Sequence, residues 1–397
     1  MKLNTYSIRQ IKKGMHVIMR VDGDVAVENG KVADPNSRRL NAFLPELRAL
    51  LKRGAKVILI MHVGRPGGKR DEKYSTKPIA SFLSEKLGKD RVLYLSYIGG
   101  LPAQKAVDRA ENGTVIVLEN MRFHKGEKEN SGEFARSLAV IGDIYINNAF
   151  ANSHRKHASM HAITRHIDSY AGKVVEKEVT ELSKPYQHPS VLIVGGIKLE
   201  TKVPIIEHLG NRVDKILTAG GVAVALLSVG RKTGLYAGTT KVSKEDLVEA
   251  KKIVDRFGDK VHVPIDFQTK SSASTKTVKI KKVEDITGRD RLFDIGPRTV
   301  KHYRELLKGA KTIVWNGPMG QVEVSPFGKG TYGLAKAIVE QRGARKVVGG
   351  GDTLDYLDKK NLLSKFDFVS TGGGAMLEFL SGDHLPGLKG LRKRSRR

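Results

Sequence analysis

The sequence predicts an α/β protein with two doubly wound domains, each built around a parallel sheet. Short, continuous apolar runs recur along the chain, and stretches with helical periodicity lie between them. Runs without polar alternation are typical of parallel strands that helices cover on both faces. At 397 residues, the chain is also long enough for two domains with separate cores.

The predicted strands form two series, one in each half of the chain. Each run is rich in Val, Ile and Leu and is followed by turn residues. The first series comprises residues 57–60, 115–118 and 144–146, and the second comprises residues 191–194, 215–217, 312–315, 346–348 and 366–369.

A connecting helix is predicted between the two series. Residues 171–182 have apolar residues at helical spacing and charge pairs that fit the same period. We therefore place a connecting helix at residues 171–185. Domains are expected at residues 1–170 and 186–378, followed by a tail at residues 379–397 that ends in a basic stretch.

The composition limits the class of partner. Lys and Arg outnumber Asp and Glu by 28, which favours polyanions: nucleic acid, an anionic membrane surface or small phosphorylated substrates. Basic stretches before the C-terminus are not interleaved with aromatic residues, and no nucleic-acid-binding motif is present. We therefore expect no specific nucleic-acid partner, and we interpret residues 389–397 as a solvated basic tail.

Several protein classes are disfavoured by what the sequence lacks. The absence of cysteine excludes disulfides and thiolate chemistry. There is no run of 18 apolar residues and no signal peptide, so we expect a cytoplasmic protein with no membrane partner. Separately, we expect a monomer. Neither a P-loop nor a G-x-G-x-x-G turn is present, which disfavours Walker-type ATPases and NAD dehydrogenases.

Glycine clusters in the second half point to phosphate binding. They occupy residues 195–196, 220–221, 349–351 and 372–374, and each follows a predicted strand. The carboxyl ends of parallel strands share one edge of a sheet, where backbone N–H groups can approach a phosphate. A single cluster could equally serve a tight turn. Four clusters on one edge predict a nucleotide site.

The first half instead places cations and imidazoles after its strands. These groups occur at residues 20, 39, 62–65, 122–124 and 154–157. Arginine binds phosphate and carboxylate through paired hydrogen bonds, although unrelated surface arginines would give the same pattern. Taken with the glycine-rich second half, the arrangement predicts a phosphotransferase with two substrates that works across a cleft.

Motifs along nearly the whole chain resemble those of the phosphoglycerate kinase family and occur in the family's order. They are Arg20-Val21-Asp22, His62-Val63-Gly64-Arg65-Pro66, Glu119-Asn120-Met121-Arg122-Phe123-His124, Asn148-Ala149-Phe150, His154-Arg155-Lys156-His157-Ala158-Ser159, Trp315-Asn316-Gly317-Pro318-Met319-Gly320, Gly349-Gly350-Gly351-Asp352-Thr353 and Ser370-Thr371-Gly372-Gly373-Gly374-Ala375.

The resemblance implies a fold and a reaction. Family members have two Rossmann-like domains joined by a helix, and their C-terminal tail returns to the N-terminal domain. They reversibly transfer the acyl phosphate of 1,3-bisphosphoglycerate to ADP, giving ATP and 3-phosphoglycerate, in glycolysis and gluconeogenesis. The N-terminal domain binds the glycerate and the C-terminal domain binds the nucleotide with Mg²⁺. Hinge closure brings the two substrates together.

The resemblance also assigns residues to the site. The implied 3-phosphoglycerate ligands are Asp22, Gly23, Asp24, Arg39, His62, Val63, Gly64, Arg65, Arg122 and Arg155. The implied nucleotide ligands are Gly196, Lys202, Gly220, Gly221, Gly296, Asn316, Pro318, Glu323, Gly350, Gly351, Asp352 and Thr353. The implied catalytic residues are Arg39, Lys198, Lys202, Gly351 and Gly373. Asp352 is the expected Mg²⁺-linked carboxylate, acting largely through the nucleotide phosphates.

Two positions depart from the family pattern. Asp24 stands where the family has Asn, and Asn148 stands where it has Asp. One hypothesis is that the changes compensate, because the number of carboxylates is conserved. An alternative is a relative of the family whose acid substrate has shifted.

Overall fold

The computed structural model describes residues 2–34, 37–231, 235–271 and 277–392. The last five residues of the predicted basic tail, 393–397, lie outside the described residues. The chain divides into two compact units. The first unit is Met1–Leu182 with His384–Arg397, and the second is Ser183–Asp383.

The first unit contains eight strands and seven α-helices among its described residues. The strands are β1 His16–Arg20, β2 Val27–Glu28, β3 Lys31–Val32, β4 Lys56–Ile60, β5 Val92–Leu95, β6 Val115–Leu118, β7 Ile144–Asn147 and β8 Ser169–Ala171. The helices are α1 Arg38–Lys52, α2 Lys77–Leu87, α3 Gly100–Arg109, α4 Lys125–Lys128, α5 Gly132–Ala139, α6 Lys173–Leu182 and, from the C-terminal segment, α14 Pro386–Lys389.

A six-stranded parallel sheet forms the centre of this unit, in the order β5-β6-β4-β1-β7-β8. All five residues of β4 are buried, so both faces of the sheet are covered. Alternate strand residues such as Val17, Leu59 and Val117 pack with Leu47 of α1 and Leu83 of α2 in one core cluster. The carboxyl ends of the inner strands therefore lie on a rigid support.

Helix α6 occupies the position of the predicted connecting helix and is grouped with the first unit. Its first two amides are capped by side chains, since Lys173 N donates to Glu46 and Val174 N donates to Asn148, both at 2.8 Å. Burial of Val175 and Val179 fixes its inner face.

The C-terminal segment also packs on the first unit. Asn4 N donates to the Leu391 carbonyl at 2.6 Å, and Gly387 N donates to the Ser153 carbonyl at 2.8 Å. Leu388 and Leu391 are buried. The tail expected from residue 379 begins later, because α13 continues to residue 380 in the second unit.

The second unit contains eleven strands and seven α-helices among its described residues. The strands are β9 Ser190–Val194, β10 Lys215–Thr218, β11 Tyr236–Ala237, β12 Thr240–Lys241, β13 Val261–His262, β14 Asp266–Lys270, β15 Lys279–Lys282, β16 Arg291–Ile295, β17 Thr312–Asn316, β18 Arg345–Gly349 and β19 Phe368–Ser370. The helices are α7 Val203–Leu209, α8 Gly220–Ser228, α9 Lys244–Phe257, α10 Pro297–Leu307, α11 Lys329–Val339, α12 Gly351–Lys359 and α13 Gly374–Leu380.

Its main sheet is again six-stranded and parallel, in the order β13-β10-β9-β17-β18-β19. Strands β9 and β17 are buried along their whole length. The structure therefore confirms the α/β class with two parallel-sheet domains. In the described parts of the chain, we find no helix with the length and hydrophobicity needed to cross a bilayer.

A second, smaller sheet in this unit was not predicted. Its order is β12-β11-β16-β14-β15, with β14 antiparallel to both neighbours and β11 parallel to β16. The strands are short, and β15 is mostly lysine and largely exposed. Such strands lack the continuous apolar runs from which the other strands were predicted.

Candidate functional site

In the first unit, the predicted substrate residues gather at the carboxyl edge of the parallel sheet. Residues 22–24 follow β1, residues 62–65 follow β4, Arg122 follows β6 and Arg155 follows β7. Arg39 enters from the first turn of α1. Adjacent parallel strands end at the same level, so these loops meet at one place.

Asp24 connects three of these segments. Its Oδ1 accepts a hydrogen bond from Gly64 N at 2.8 Å, and its backbone carbonyl accepts one from Arg39 Nη1 at 2.6 Å. Arg39 Nε also lies 3.3 Å from Asp22 Oδ2. Burial alone would raise the pKa of Asp24, but the nearby His62 imidazole and the hydrogen bond from Gly64 N lower it well below its usual value. Asp24 is therefore an anion within a cationic site.

His62 is fully buried among arginines. Arg20 Nη2 lies 3.0 Å from His62 Nδ1. His62 Nε2 lies 3.7 Å from Asp24 Oδ2 and 3.3 Å from Arg155 Nη1. Burial lowers the pKa of His62 to about 3, and the charges of Arg20 and Arg122 act in the same direction. The imidazole is neutral at physiological pH.

The remaining arginines concentrate positive charge. Arg122 Nη1 donates to the Gly64 carbonyl at 2.6 Å, while Arg65 is exposed. Burial and the nearby Arg155 charge lower the pKa of Arg122 to about 10. Arg122 Nε is buried and has no hydrogen-bond partner among the described residues, and Asp22 Oδ2 has none there besides its ion pair with Arg39. An anionic ligand with hydroxyl groups would satisfy both atoms.

Three polar residues that support this site are not among the substrate ligands that the resemblance implies, although Arg20 belongs to the cations expected after the first-half strands. Arg20 is fully buried beside His62 and also donates to Ser159 Oγ at 3.0 Å. Asn120 Nδ2 donates to the Val63 carbonyl at 2.7 Å, and Asn152 Nδ2 donates to Asp22 Oδ1 at 3.2 Å. Arg20 and Asn120 stand inside the quoted motifs, whereas no sequence signal distinguishes Asn152.

Asn148 lies in a different environment from Asp24. Its Nδ2 donates to Glu46 Oε2 at 2.6 Å, and its Oδ1 accepts from Val174 N. Within the described residues there is no hydrogen bond or ion pair between Asn148 and Asp24. The direct neighbour that explains an amide at position 148 is the buried carboxyl of Glu46, since two carboxylates at this distance would repel.

In the second unit, most predicted nucleotide residues line one cavity of about 460 Å³. The residues that the structure brings together there are Gly196, Lys198, Lys202, Gly220, Gly221, Asn316, Pro318, Glu323, Gly350, Gly351, Asp352, Thr353 and Gly373. They follow β9, β10, β17, β18 and β19 of the main sheet. The glycine-rich edge predicted from the sequence therefore borders a single cavity.

Lys202 is the buried cation of this cavity. Its Nζ donates to Asn316 Oδ1 at 2.6 Å, and Lys202 forms no ion pair among the described residues. Burial lowers the pKa of Lys202 to about 8, although the negative charge of Asp352 opposes this shift. A buried ammonium group that lacks a bound carboxylate has a strong electrostatic reason to accept an anion.

Backbone amides face the same cavity. The first helical hydrogen bond of α12 runs from Leu354 N to the Gly350 carbonyl at 2.9 Å, so the amides of residues 351–353 have no partner within the helix. Thr353 Oγ1 is buried and has no hydrogen-bond partner. These donors form an anion-binding helix N-terminus.

Gly296 does not join this group. It follows β16 of the smaller sheet and borders a different cavity of about 470 Å³ with Gln268 and Lys329. The assignment of Gly296 to the nucleotide cavity is therefore not supported by its position. The smaller sheet instead places Leu292 and Phe293 in the nucleotide cavity, with Gln321 beside them. No sequence signal pointed to these three residues, because the smaller sheet was not predicted.

The fold and these two sets of residues define a class: a two-unit α/β phosphotransferase. One unit carries arginines and a neutral histidine, and the other carries a glycine-rich cavity with a buried lysine. A sequence model of the family described as phosphoglycerate kinase matches residues 8–383. This chain therefore belongs to the phosphoglycerate kinase family, and it is a kinase of glycolysis.

Individual relatives agree with this assignment. Proteins named phosphoglycerate kinase from Leptospira biflexa and Thermosipho africanus are both 40% identical to this chain, the first over 386 residues and the second over 395. The alignments cover 95% and 96% of both sequences, respectively. The structure of phosphoglycerate kinase from Coxiella burnetii is similar, with a TM-score of 0.83, 35% identity and coverage of 96% of this chain and 97% of that one. A phosphoglycerate kinase structure from Pyrococcus horikoshii also has a TM-score of 0.83, with 31% identity and 96% coverage of both chains.

Proposed function

We propose that the first unit binds 3-phosphoglycerate or 1,3-bisphosphoglycerate, and that the second unit binds ADP or ATP. The observation that carries the proposal is the buried Lys202 ammonium at the glycine-rich edge, held by Asn316 and without an ion-pair partner among the described residues. A cation in this state favours a phosphate ligand.

The first-unit cluster suits a small, multiply charged acid. Arg39, Arg65, Arg122 and Arg155 supply guanidinium groups for phosphate and carboxylate. Asp22 and Asp24 accept hydrogen bonds and therefore suit the hydroxyl of the glycerate. We also assign the backbones of Gly23, Val63 and Gly64 to the glycerate, and the Gly64 amide already donates to Asp24.

The cavity of the second unit suits a nucleoside diphosphate or triphosphate with Mg²⁺. No group of three or more metal-binding side chains is present in the described part of the chain, which disfavours a metal site built from protein alone. Asp352, beside the free Thr353 hydroxyl, provides the single carboxylate that Mg²⁺ needs when phosphates supply its other ligands. When bound, Mg²⁺ would neutralise charge on the nucleotide phosphates. Glu323 is assigned to the ribose hydroxyls.

The chemical step requires positioning and cations more than acid–base catalysis. In the direction of ATP synthesis, a β-phosphate oxygen of ADP forms a bond to the acyl phosphorus, and the bond from phosphorus to the carboxyl oxygen breaks. The leaving group is the carboxylate of 3-phosphoglycerate, so no proton transfer is needed. Charge spreads over the equatorial oxygens in the transition state, where Arg39, Lys198, Lys202 and the amides of Gly351 and Gly373 would act.

Transfer also requires that the two substrates meet. Because each set of residues belongs to its own unit, we propose that the units close about a hinge when both ligands are bound, which excludes water from the transfer. Small-angle scattering should show contraction only with both ligands present. A single chain carries both sets, so we propose a monomer. The cysteine-free composition fits the reducing cytoplasm.

A coupled spectrophotometric assay tests the proposal. Purified protein should consume 3-phosphoglycerate and ATP, and the activity should disappear when Mg²⁺ is chelated. Lys202→Ala and Arg39→Ala should each lower kcat/KM by about a hundredfold or more, as for other transition-state donors. Lys251→Ala, which removes only an exposed ion pair with Asp255, is the matched control. Activity within tenfold of the natural protein in both site variants would contradict the assignment.

A further inference from the structure

The nucleotide cavity has a second wall with different chemistry. The main sheet contributes glycines, Lys202 and the N-terminus of α12, whereas the smaller sheet contributes Ala237, Gly238 and Leu292. Phosphates require the first wall because its donors and cation lie there. The base of a nucleotide bound in this way must therefore face the second wall, which is largely apolar.

Gln321 contributes a polar side chain to this second wall. Its backbone amide donates to the Phe293 carbonyl at 2.9 Å, and the neighbouring Gly238 amide donates to the Leu292 carbonyl at 2.6 Å. Two successive carbonyls of β16 thus fix the backbones of residues 321 and 238. The side chain of Gln321 lines the cavity.

The position of the Gln321 amide depends on Gly238. A Cβ atom on Gly238 would stand 2.1 Å from Gln321 Nε2 and 2.8 Å from Cδ, so the side-chain amide lies directly against the glycine. Gly238 has a φ of +58°, which a side chain would also disfavour. The turn between β11 and β12 therefore leaves space that the Gln321 amide occupies.

This side-chain amide has no hydrogen-bond partner within the described residues, whereas the side-chain amides of Gln268 and Gln341 are both bonded. Its Oε1 and Nε2 offer one acceptor and one donor to the cavity. Adenine presents the complementary pair on its N7 edge, the N6 amino donor beside the N7 acceptor, and glutamine pairs with this edge through two hydrogen bonds. The corresponding edge of guanine presents two acceptors, O6 and N7.

We propose that Gln321 selects the base of the nucleotide substrate by pairing with the 6-amino edge of adenine. This inference rests on the proposed nucleotide site and adds to it a specificity for the base. Base contacts are remote from the transferred phosphoryl group, so Gln321 acts on KM more than on kcat.

The test compares ADP, GDP and purine riboside 5′-diphosphate, which lacks the 6-amino group. We expect the natural chain to prefer ADP over each of the others by roughly tenfold in KM, as one paired contact predicts. Gln321→Leu should reduce both preferences to within threefold while kcat for ADP changes little. Gln321→Ala provides a second variant if leucine disturbs folding, and Gln341→Leu, which removes an amide remote from the cavity lining, is the matched control.

Nucleotide affinity should also be measured without turnover, from the fluorescence of Trp315, the single tryptophan of the chain, which lies beside Asn316. This separates the two proposals. Nucleotide binding with the expected preference but no turnover of 3-phosphoglycerate would overturn only the proposed function. Equal KM values for ADP and purine riboside diphosphate in the natural chain, or a preference undiminished in both Gln321 variants, would overturn the role of Gln321.

Discussion

The Nζ atom of Lys202 donates a 2.6 Å hydrogen bond to Oδ1 of Asn316, which joins the segment after β9 to the end of β17. The amide oxygen can hold the ammonium group without neutralising it. A carboxylate at position 316 would form an ion pair and weaken the attraction for phosphate. The asparagine therefore orients Lys202 while its charge remains available to the nucleotide.

The lowered pKa of Lys202 predicts that nucleotide affinity depends on pH. The amine is protonated below its pKa of about 8 and becomes neutral above it, so binding of ADP to the free protein should weaken as pH rises from 7 to 9. We expect the Kd for ADP to rise by up to about tenfold over this range. Fluorescence titrations at constant ionic strength measure the effect. Lys202→Arg should abolish the pH dependence, and an identical profile in this variant would contradict the assignment to Lys202.

Substitution by alanine should have different effects on stability and KM at two glycines of the cavity. A Cβ atom at Gly221 would stand 1.8 Å from the Ile197 carbonyl oxygen, whereas no atom lies within 4 Å of a Cβ atom at Gly351. Gly221→Ala should therefore lower the free energy of unfolding by about 3 kcal/mol. Gly351→Ala should leave stability unchanged but raise the KM for ADP about tenfold, because its methyl group enters the space assigned to phosphate. Thermal melting and steady-state kinetics distinguish the two effects.

A loss of stability in Gly351→Ala equal to that in Gly221→Ala would show that the two glycines share a structural role. Unchanged stability and KM in Gly351→Ala would remove Gly351 from the phosphate site.

The buried neutral His62 predicts acid sensitivity. In the unfolded chain this histidine binds a proton below its ordinary pKa of about 6.5, but in the folded protein its pKa is lowered to about 3. The resulting stability is present above pH 6.5 and is lost progressively as pH falls towards 3. Between pH 7.5 and 5.0, His62 should account for a loss of about 2 kcal/mol in the free energy of unfolding.

Urea unfolding followed by circular dichroism at these two pH values checks this prediction. His62→Gln cannot titrate and should show the smaller loss, whereas His166→Gln, at an exposed histidine, should behave like the natural chain. Equal losses in the natural chain and His62→Gln would contradict it.

The contact between Asn148 and Glu46 predicts a rescue experiment. Asn148→Asp would place two carboxylates at the 2.6 Å contact and should lower the free energy of unfolding by about 2 kcal/mol. Glu46→Gln should restore most of this loss in the double variant, because an amide can donate to the new carboxylate. Thermal unfolding of the four proteins measures the coupling between the two positions.

The same variants test the compensation hypothesis for Asp24. Since Asp24 and Asn148 have separate partners, Asp24→Asn should change 3-phosphoglycerate affinity by the same factor in both backgrounds. A change confined to one background would instead support compensation. Turnover of another acyl phosphate, but not of 3-phosphoglycerate, would indicate a shifted acid substrate.

The sequence was most informative for residues whose environment can be predicted from the strand that contains or directly precedes them. Buried parallel strands have continuous apolar runs, so β4, β6, β9 and β17 were predicted close to their observed bounds. Residues directly after these strands share one sheet edge for geometric reasons. This is why the glycine clusters after β9, β10, β18 and β19 could be predicted to share one edge, whereas Lys202 was implied by the family resemblance.

Prediction failed where long-range pairing determines the environment. The smaller sheet consists of short strands, including the lysine-rich β15, that gain stability from their neighbours rather than from their own pattern. Because this sheet was missed, Gly296 was grouped with residues of a cavity that it does not line, and Gln321 was left unnoticed. Likewise, the proximity of Asn148 to Glu46 on α1 cannot be derived from the local sequence around either residue.

In the proposed function, each unit binds one of the two substrates through its own cations. Isothermal titration of 3-phosphoglycerate and MgADP into the natural chain, Arg39→Ala and Lys202→Ala tests this division of binding. We predict that Arg39→Ala loses at least about tenfold in 3-phosphoglycerate affinity with MgADP unchanged, and that Lys202→Ala shows the reverse, as expected for lost charge-assisted hydrogen bonds. Loss of MgADP affinity in Arg39→Ala, or of 3-phosphoglycerate affinity in Lys202→Ala, with the other ligand unaffected, would contradict the account.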